Sequence, residues 1–239
     1  MKKISISLTP MSYEEREELR NLRTNLLFCG DDKRVILMTS AISGEGKTEV
    51  SVHLAHALTE LKKKVLVIDT DLRKSVMVSR LQVPAIDGGL SHFLSGQMEL
   101  SNVVYATNIP GMHIIFAGPS VPNPTELLSG KRFGKLIASM KSMYDYVIID
   151  AAPIGLVVDA AVIAKECDGS VLLLESGAIK RNFALDVKHK MENTGCPILG
   201  VVLNKVDRKK NVGYYNKYYG KYGKRYAKYY ESNSENEEQ

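Results

Sequence analysis

The chain has 239 residues, 44% apolar and 25% charged, which fits one α/β domain with appendages and is ample to bury a core. Its three cysteines, Cys29, Cys167 and Cys196, are scattered and odd in number, which argues against a disulfide framework or a cysteine-bound zinc and suits a reducing cytosol. The net charge is +5, no apolar run approaches the ~18 residues of a membrane span, and residues 1–10 lack a signal-peptide core, so the expectation is a cytoplasmic chain that does not cross a membrane by itself.

Residues Ser12 to Phe28 read as an amphipathic helix: Ser12 and Glu15 form a capping box, and Leu19, Leu22, Leu26 and Leu27 recur at helical spacing. Glu17, Arg20 and Arg23 fall on its polar face. That face is either a solvated one with ordinary ion pairs or a self-association surface, since carboxylate and guanidinium groups suit pairing between subunits. Val35-Ile36-Leu37-Met38 then reads as a buried strand leading into Ala41-Ile42-Ser43-Gly44-Glu45-Gly46-Lys47-Thr48, and Val50, Leu54, Ala57, Leu58 and Leu61 follow at helical spacing. Strand, glycine-rich loop and helix is the context a phosphate-binding P-loop requires. Gly44 and Gly46 let successive backbone N–H groups converge on an anion, and the helix dipole adds to the attraction. Ser43, Gly44, Glu45, Gly46, Lys47, Thr48 and Glu49 are therefore expected to bind nucleotide. Lys47 reaches the β- and γ-phosphates and the Thr48 hydroxyl ligates Mg²⁺. The chain reads as a nucleotide-binding protein.

Lys62-Lys63-Lys64 is expected to end that helix with cations, as the dipole prefers. Val65–Ile68 reads as a buried strand that delivers Asp69, Asp71 and Arg73 to its C-terminal end, where open parallel sheets bind ligands. The two acids are available to a metal and a substrate hydroxyl. Residues 88–108 look like a helix-and-loop connection, Ile114–Phe116 like a short strand, and Asn123-Pro124-Thr125-Glu126 like a capped helix start. Tyr146–Asp150 is another apolar strand ending in an acid, followed by Ala151-Ala152-Pro153, the form of a Walker B segment whose Asp holds Mg²⁺ through water. Val171–Leu174 and Ile198–Leu203 read as further buried strands, and Asn204, with Lys205, follows as a candidate contact to the base. Strands that alternate with helices and read as continuous Val/Ile/Leu runs imply a three-layer α/β fold, a mainly parallel sheet covered on both faces. His53 and His56 share a helix without a third ligand, so packing or surface roles are expected of them.

From residue 211 the composition changes. Tyr214, Tyr215, Tyr218, Tyr219, Tyr222, Tyr226, Tyr229 and Tyr230 are interleaved with five cations, and an acidic end follows. Glycines at 213, 220 and 223 and the near absence of aliphatic residues predict a mobile segment. It is an inert tail, a single-stranded nucleic-acid arm or a multi-site phosphoacceptor; eight tyrosines in 17 positions weigh against the first. Full phosphorylation adds about −12 to −16 charges and reverses the sign of the segment. About 25 extended residues at ~3.3 Å each reach up to about 80 Å, within range of a neighbouring subunit.

P-loop, D-x-D-x-R, strand-Asp-x-x-Pro and a terminal tyrosine cluster together resemble the cytoplasmic kinases of the bacterial tyrosine kinases, the BY-kinases, over nearly the whole chain. The resemblance implies Walker A, A′ and B motifs at 41–48, 65–73 and 147–150. It gives Glu17, Arg20 and Arg23 the place of an E-x-x-R-x-x-R oligomerisation motif, which favours the self-association reading. It divides the chain into an oligomerisation helix (1–30), a P-loop kinase domain (31–210) and a tyrosine-rich tail (211–239). It further implies ATP and Mg²⁺ as cofactors and a ring-like homo-oligomer, such as an octamer, that phosphorylates its tails between subunits to regulate capsule and exopolysaccharide polymerisation and export. A membrane-embedded polysaccharide co-polymerase would activate it and recruit it to the inner face of the cell membrane, a cognate tyrosine phosphatase would reverse it, and no nucleic acid is expected. The catalytic set is then Lys47, Asp69, Asp71, Arg73 and Asp150, with Thr48, Asp71 and Asp150 on the metal. Asp69 orients and finally deprotonates the phenol, a transfer uphill by about 6 pKa units from model values, roughly 8 kcal/mol. The rival is a partitioning or site-placement ATPase switch, which usually carries a signature lysine where this chain has Ile42.

Overall fold

In the computed structural model, described for residues 2–207, the apolar runs form the inner strands of one sheet and the helical-period segments form its covers. The chain runs β1 (Lys2–Lys3), α1 (Tyr13–Phe28), β2 (Val35–Ser40), α2 (Lys47–Thr59), β3 (Val65–Asp69), α3 (Met77–Arg80), α4 (Leu90–Leu94) and β4 (Tyr105–Ala106). It continues through β5 (Met112–Ile115), α5 (Pro124–Ser129), α6 (Lys131–Met143), β6 (Tyr146–Asp150), α7 (Asp159–Ile163), β7 (Gly169–Glu175), α8 (Arg181–Glu192) and β8 (Ile198–Asn204).

The eight strands lie in the order β1-β4-β5-β3-β6-β2-β7-β8, and every neighbouring pair is parallel except β4 with β5. This is the mainly parallel, three-layer α/β sheet of P-loop NTPases. Strand residues alternate between two cores, as the two-residue period of a strand demands. Leu37, Leu66, Ile68, Val147 and Ile149 pack with Phe133, Leu136 and Ile137 of α6 and Val187 of α8. Ile36, Met38, Val67 and Ile148 pack with Val52, Leu54 and Leu58 of α2 and Leu26 of α1. Both faces being covered explains why these strands read as unbroken apolar runs.

The Ser12–Glu15 capping box forms as the sequence requires, with each side chain on the other's backbone N–H. Four features depart from expectation. β1 and β4 are two-residue edge strands with no apolar periodicity to announce them. β8 is not buried: it is the sheet's outer strand, and Val201 and Leu203 are 56% and 57% exposed. Apolar content alone does not distinguish an inner strand from an edge. The three lysines after α2 lie beyond its end at Thr59, with Lys62 at φ 60°, so they do not form its last turn. The N-terminal helix is no detached appendage either, since the chain up to Asn204 forms one compact unit in which α1 packs on α2. No helix among the described residues is long and apolar enough to cross a membrane. The predicted tail, residues 211–239 with its eight tyrosines, lies outside the described residues.

Candidate active site

The strand order builds the site. β6 lies between β2 and β3, so the acid ending β6 arrives between the loop that follows β2 and the acid that ends β3. Asp69 and Asp150 are register partners on adjacent parallel strands. Their side chains therefore leave the sheet at the same level and on the same edge.

The loop after β2 turns on Gly44 and Gly46, at φ +88° and +95°, a left-handed region that favours glycine. Gly46 has a second constraint, because a Cβ there would sit 2.3 Å from Asn204 Nδ2. α2 starts directly afterwards at Lys47, which is 9% exposed. Glu45 is wholly buried and its carboxylate faces the loop itself: Oε2 accepts from Ile42 N at 2.8 Å and Oε1 from Glu175 N at 2.9 Å. Its side chain is thus a brace between the loop and β7. Asn204 is a brace as well, with Nδ2 donating to Glu45 O at 2.9 Å. Ser43, Gly44 and Thr48 lie along the loop and helix start, and Glu49 belongs to the first turn of α2.

The acids differ in environment. Asp150 is 2% exposed, and Thr48 donates to its Oδ2 at 2.6 Å while Oδ1 has no hydrogen-bond partner among the described residues. Burial pushes this carboxyl up to about 6, against the pull of the Lys47 charge. Asp69 is 1% exposed, with Oδ1 accepting from Asp71 N at 3.1 Å and Oδ2 accepting from the Ser75 hydroxyl. Burial, and next the Asp150 charge, push it up to about 8. Asp71 Oδ1 accepts from Arg73 N at 3.3 Å and Lys74 N at 2.9 Å, which sets its side chain by the turn. An orphaned buried carboxylate oxygen beside a hydroxyl, with a second acid at hand, is a hard-oxygen donor set that fits Mg²⁺.

Arg73 is not a free cation. Its Nε and Nη2 donate to the two oxygens of Asp159, at 2.6 and 3.0 Å, and Nη2 also donates to Thr125 Oγ1 at 3.1 Å. Asp159, Thr125 and Ser75 were not legible as site residues, because each stands outside a recognisable motif. The α1 triad lies at the other end of α2 and splits in two. Glu17 and Arg20 form an exposed ion pair, whereas Arg23 turns inward to Ala57 O at 2.8 Å and Glu60 at 3.1 Å, leaving its side chain 14% exposed.

A family model described as an AAA domain matches residues 33–173, the stretch that contains the loop and all three acids. The tyrosine-protein kinase CpsD of Streptococcus agalactiae is 43% identical over 206 residues, 86% of this chain and 89% of that protein. The chain belongs to the BY-kinases, the bacterial tyrosine kinases. Among solved structures, the kinase domain of Escherichia coli tyrosine kinase ETK superposes with a TM-score of 0.76 at 34% identity, covering 80% of this BY-kinase and 75% of that chain. The septum site-determining protein MinD of Pyrococcus horikoshii, complexed with Mg-ADP, follows the same fold with a TM-score of 0.64 at 26% identity, covering 73% and 71%. The BY-kinase chain thus shares its fold with a septum site-determining protein complexed with Mg-ADP, and aligns over most of its length with a tyrosine-protein kinase.

Proposed function

We propose that this chain transfers the γ-phosphate of ATP to tyrosine hydroxyls of the cluster Tyr214 to Tyr230 on a neighbouring copy of itself. The observation that carries the reading is the meeting of Asp69, Asp71 and Asp150, from two adjacent strand ends, with Lys47 and Thr48 at the head of α2. Lys47 and the loop amides from Ser43 to Glu49 hold the phosphates. Mg²⁺, held by Thr48 directly and by Asp71 and Asp150, supplies charge neutralisation at the phosphate oxygens. Asp69 takes the phenolic proton on its carboxylate as the phenol oxygen bonds to the γ-phosphorus. The bond from that phosphorus to the bridging oxygen breaks, and Lys47 holds the charge left on ADP.

In the metal-free protein burial, and next the Asp150 charge, push the Asp69 carboxyl up to about 8, which makes it a stronger base toward a phenol than a free Asp; Mg²⁺ beside Asp150 would take back part of that rise. Proton transfer still follows most of the bond formation, and positioning remains the larger contribution. Assembly into a ring through the α1 face belongs to the same proposal, since the exposed Glu17–Arg20 pair can be exchanged for pairs between subunits. So do activation and membrane recruitment by a polysaccharide co-polymerase, reversal by a tyrosine phosphatase, and a role in capsule or exopolysaccharide polymerisation and export.

Incubation with Mg-ATP and the activator, followed by phosphopeptide mapping with Lys47→Met as control, tests the reading. Phosphate on tail tyrosines in the wild type alone is the expected result. ATP turnover with every tail tyrosine bare would favour the nucleotide-switch reading that the MinD likeness keeps in view.

A further inference from the structure

Asp159 is 1% exposed and spends its whole carboxylate on a knot of three chain segments. It accepts from Arg73 of the loop after β3 and from Thr125 in the first turn of α5, while itself opening α7. Burying a carboxylate for an ion pair is a poor device for stability, because its desolvation consumes much of what the attraction provides. It is a good device for fixing a planar guanidinium, whose five N–H groups point in set directions. Here Nε and Nη2 are fully engaged, Nη1 has no acceptor among the described residues, and the Arg73 side chain remains 41% exposed. The same short loop carries Asp69 and Asp71, and Asp71 accepts from Arg73 N. Without its anchor, a long cationic side chain on this loop would fold onto the neighbouring acids and compete with the metal for them.

We propose that Asp159 is a positioning residue, which with Thr125 holds the Arg73 guanidinium off the acid cluster and leaves its Nη1 edge free for the phosphate being transferred. The inference rests on the kinase reading, in which that phosphate is the γ-phosphate of ATP. It is tested on the full chain by binding, so that it stands or falls apart from phosphotyrosine formation.

The measurement is the preference for a non-hydrolysable ATP analogue over ADP, in Mg²⁺, by titration calorimetry. Arg73→Ala and Asp159→Asn are each expected to lower that preference about tenfold, the worth of one charge-assisted hydrogen bond, with ADP affinity itself little changed. The double variant should be no worse than either single one, because the two residues act as a unit. Guanidinium ion at sub-denaturing concentration should restore the preference in Arg73→Ala and not in Arg73→Ala/Asp159→Asn, a difference that a purely structural Asp159 would not produce. An unchanged preference in Asp159→Asn, or equal restoration in the single and double variants, overturns the proposal. Should Asp159→Asn fail to fold, Thr125→Val replaces it in the same comparison: weakened restoration supports the anchor and equal restoration overturns it. A wild type that binds both nucleotides as expected yet forms no phosphotyrosine would count against the kinase reading alone.

Discussion

Thr48 donates its hydroxyl to one oxygen of Asp150, at 2.6 Å, and the other oxygen of that buried carboxylate has no hydrogen-bond partner among the described residues. Buried acceptors in native proteins are nearly always satisfied, so an orphan at a strand end beside a P-loop marks the place of something that binds there. Asp150→Asn keeps the shape and removes the charge. Nucleotide affinity measured in EDTA should stay within about twofold of wild type, while the gain on adding Mg²⁺ should fall at least about tenfold, the loss of roughly 1.4 kcal/mol or more. Titration calorimetry with ADP, with and without Mg²⁺, reads both numbers; an undiminished Mg²⁺ effect would remove Asp150 from the metal.

The carboxyl of Asp69, raised by burial and by the Asp150 charge, gives the metal-free protein a pH signature. Its folded-state value of about 8 lies above the unfolded value of 3.8, so the folded protein retains a proton that the unfolded chain gives up. The stability from this group is present in full below pH ~4 and is lost as pH rises to about 8, by up to about 1.4 kcal/mol per pH unit. Asp69→Asn, which cannot ionise, should flatten that slope and melt higher than wild type at pH 8 in EDTA, while losing phosphotransfer. A wild-type melting temperature that rises between pH 5 and pH 8 as steeply as that of the variant would contradict it.

Glu45 carries a structural load that its place in a phosphate-binding motif conceals. Removing its carboxylate with Glu45→Ala takes away the two bonds it accepts from Ile42 N and Glu175 N. At about 0.5–1.5 kcal/mol for each part-buried bond, the urea-unfolding free energy should drop by about 1–3 kcal/mol. Glu45→Gln, which can still accept one of the two bonds, should fall between. Stability unaltered in Glu45→Ala would mean the loop does not need this brace.

The two arginines of α1 should separate in experiment as they do in the structure. Arg20→Ala breaks only an exposed pair, so its thermal stability should hold to within about 0.5 kcal/mol while its sedimentation shifts towards the monomer. Arg23→Ala cuts α1 from the end of α2 and should cost about 1–2 kcal/mol in the monomer itself, at any protein concentration. Equal behaviour of the two variants in both assays would erase the distinction.

The inner strands, the P-loop and the strand-end acids were legible because each is announced locally, by a continuous apolar run, a glycine spacing or an acid closing a strand. Ser12 and Glu15 likewise sit three residues apart, within one turn. What was illegible depends on distance along the chain. Arg73 and Asp159 meet across 86 residues and Glu45 and Glu175 across 130, and neither pairing leaves a trace in spacing or composition. β8 was misread for a related reason: Val201 and Leu203 look like core residues, and only the strand order puts them at an edge, more than half exposed. Arg23 shows the reverse case, a residue on the polar face of a helix that finds its partner on α2.

The amide of Asn204 joins the last residue of the sheet to the turn that cradles the phosphates. Tyr214 stands ten positions further on, no more than about 33 Å of fully stretched chain away. The exit of the chain from the sheet and the backbone of the phosphate-binding turn are thereby the two ends of one hydrogen bond, so a change at either end bears on the other.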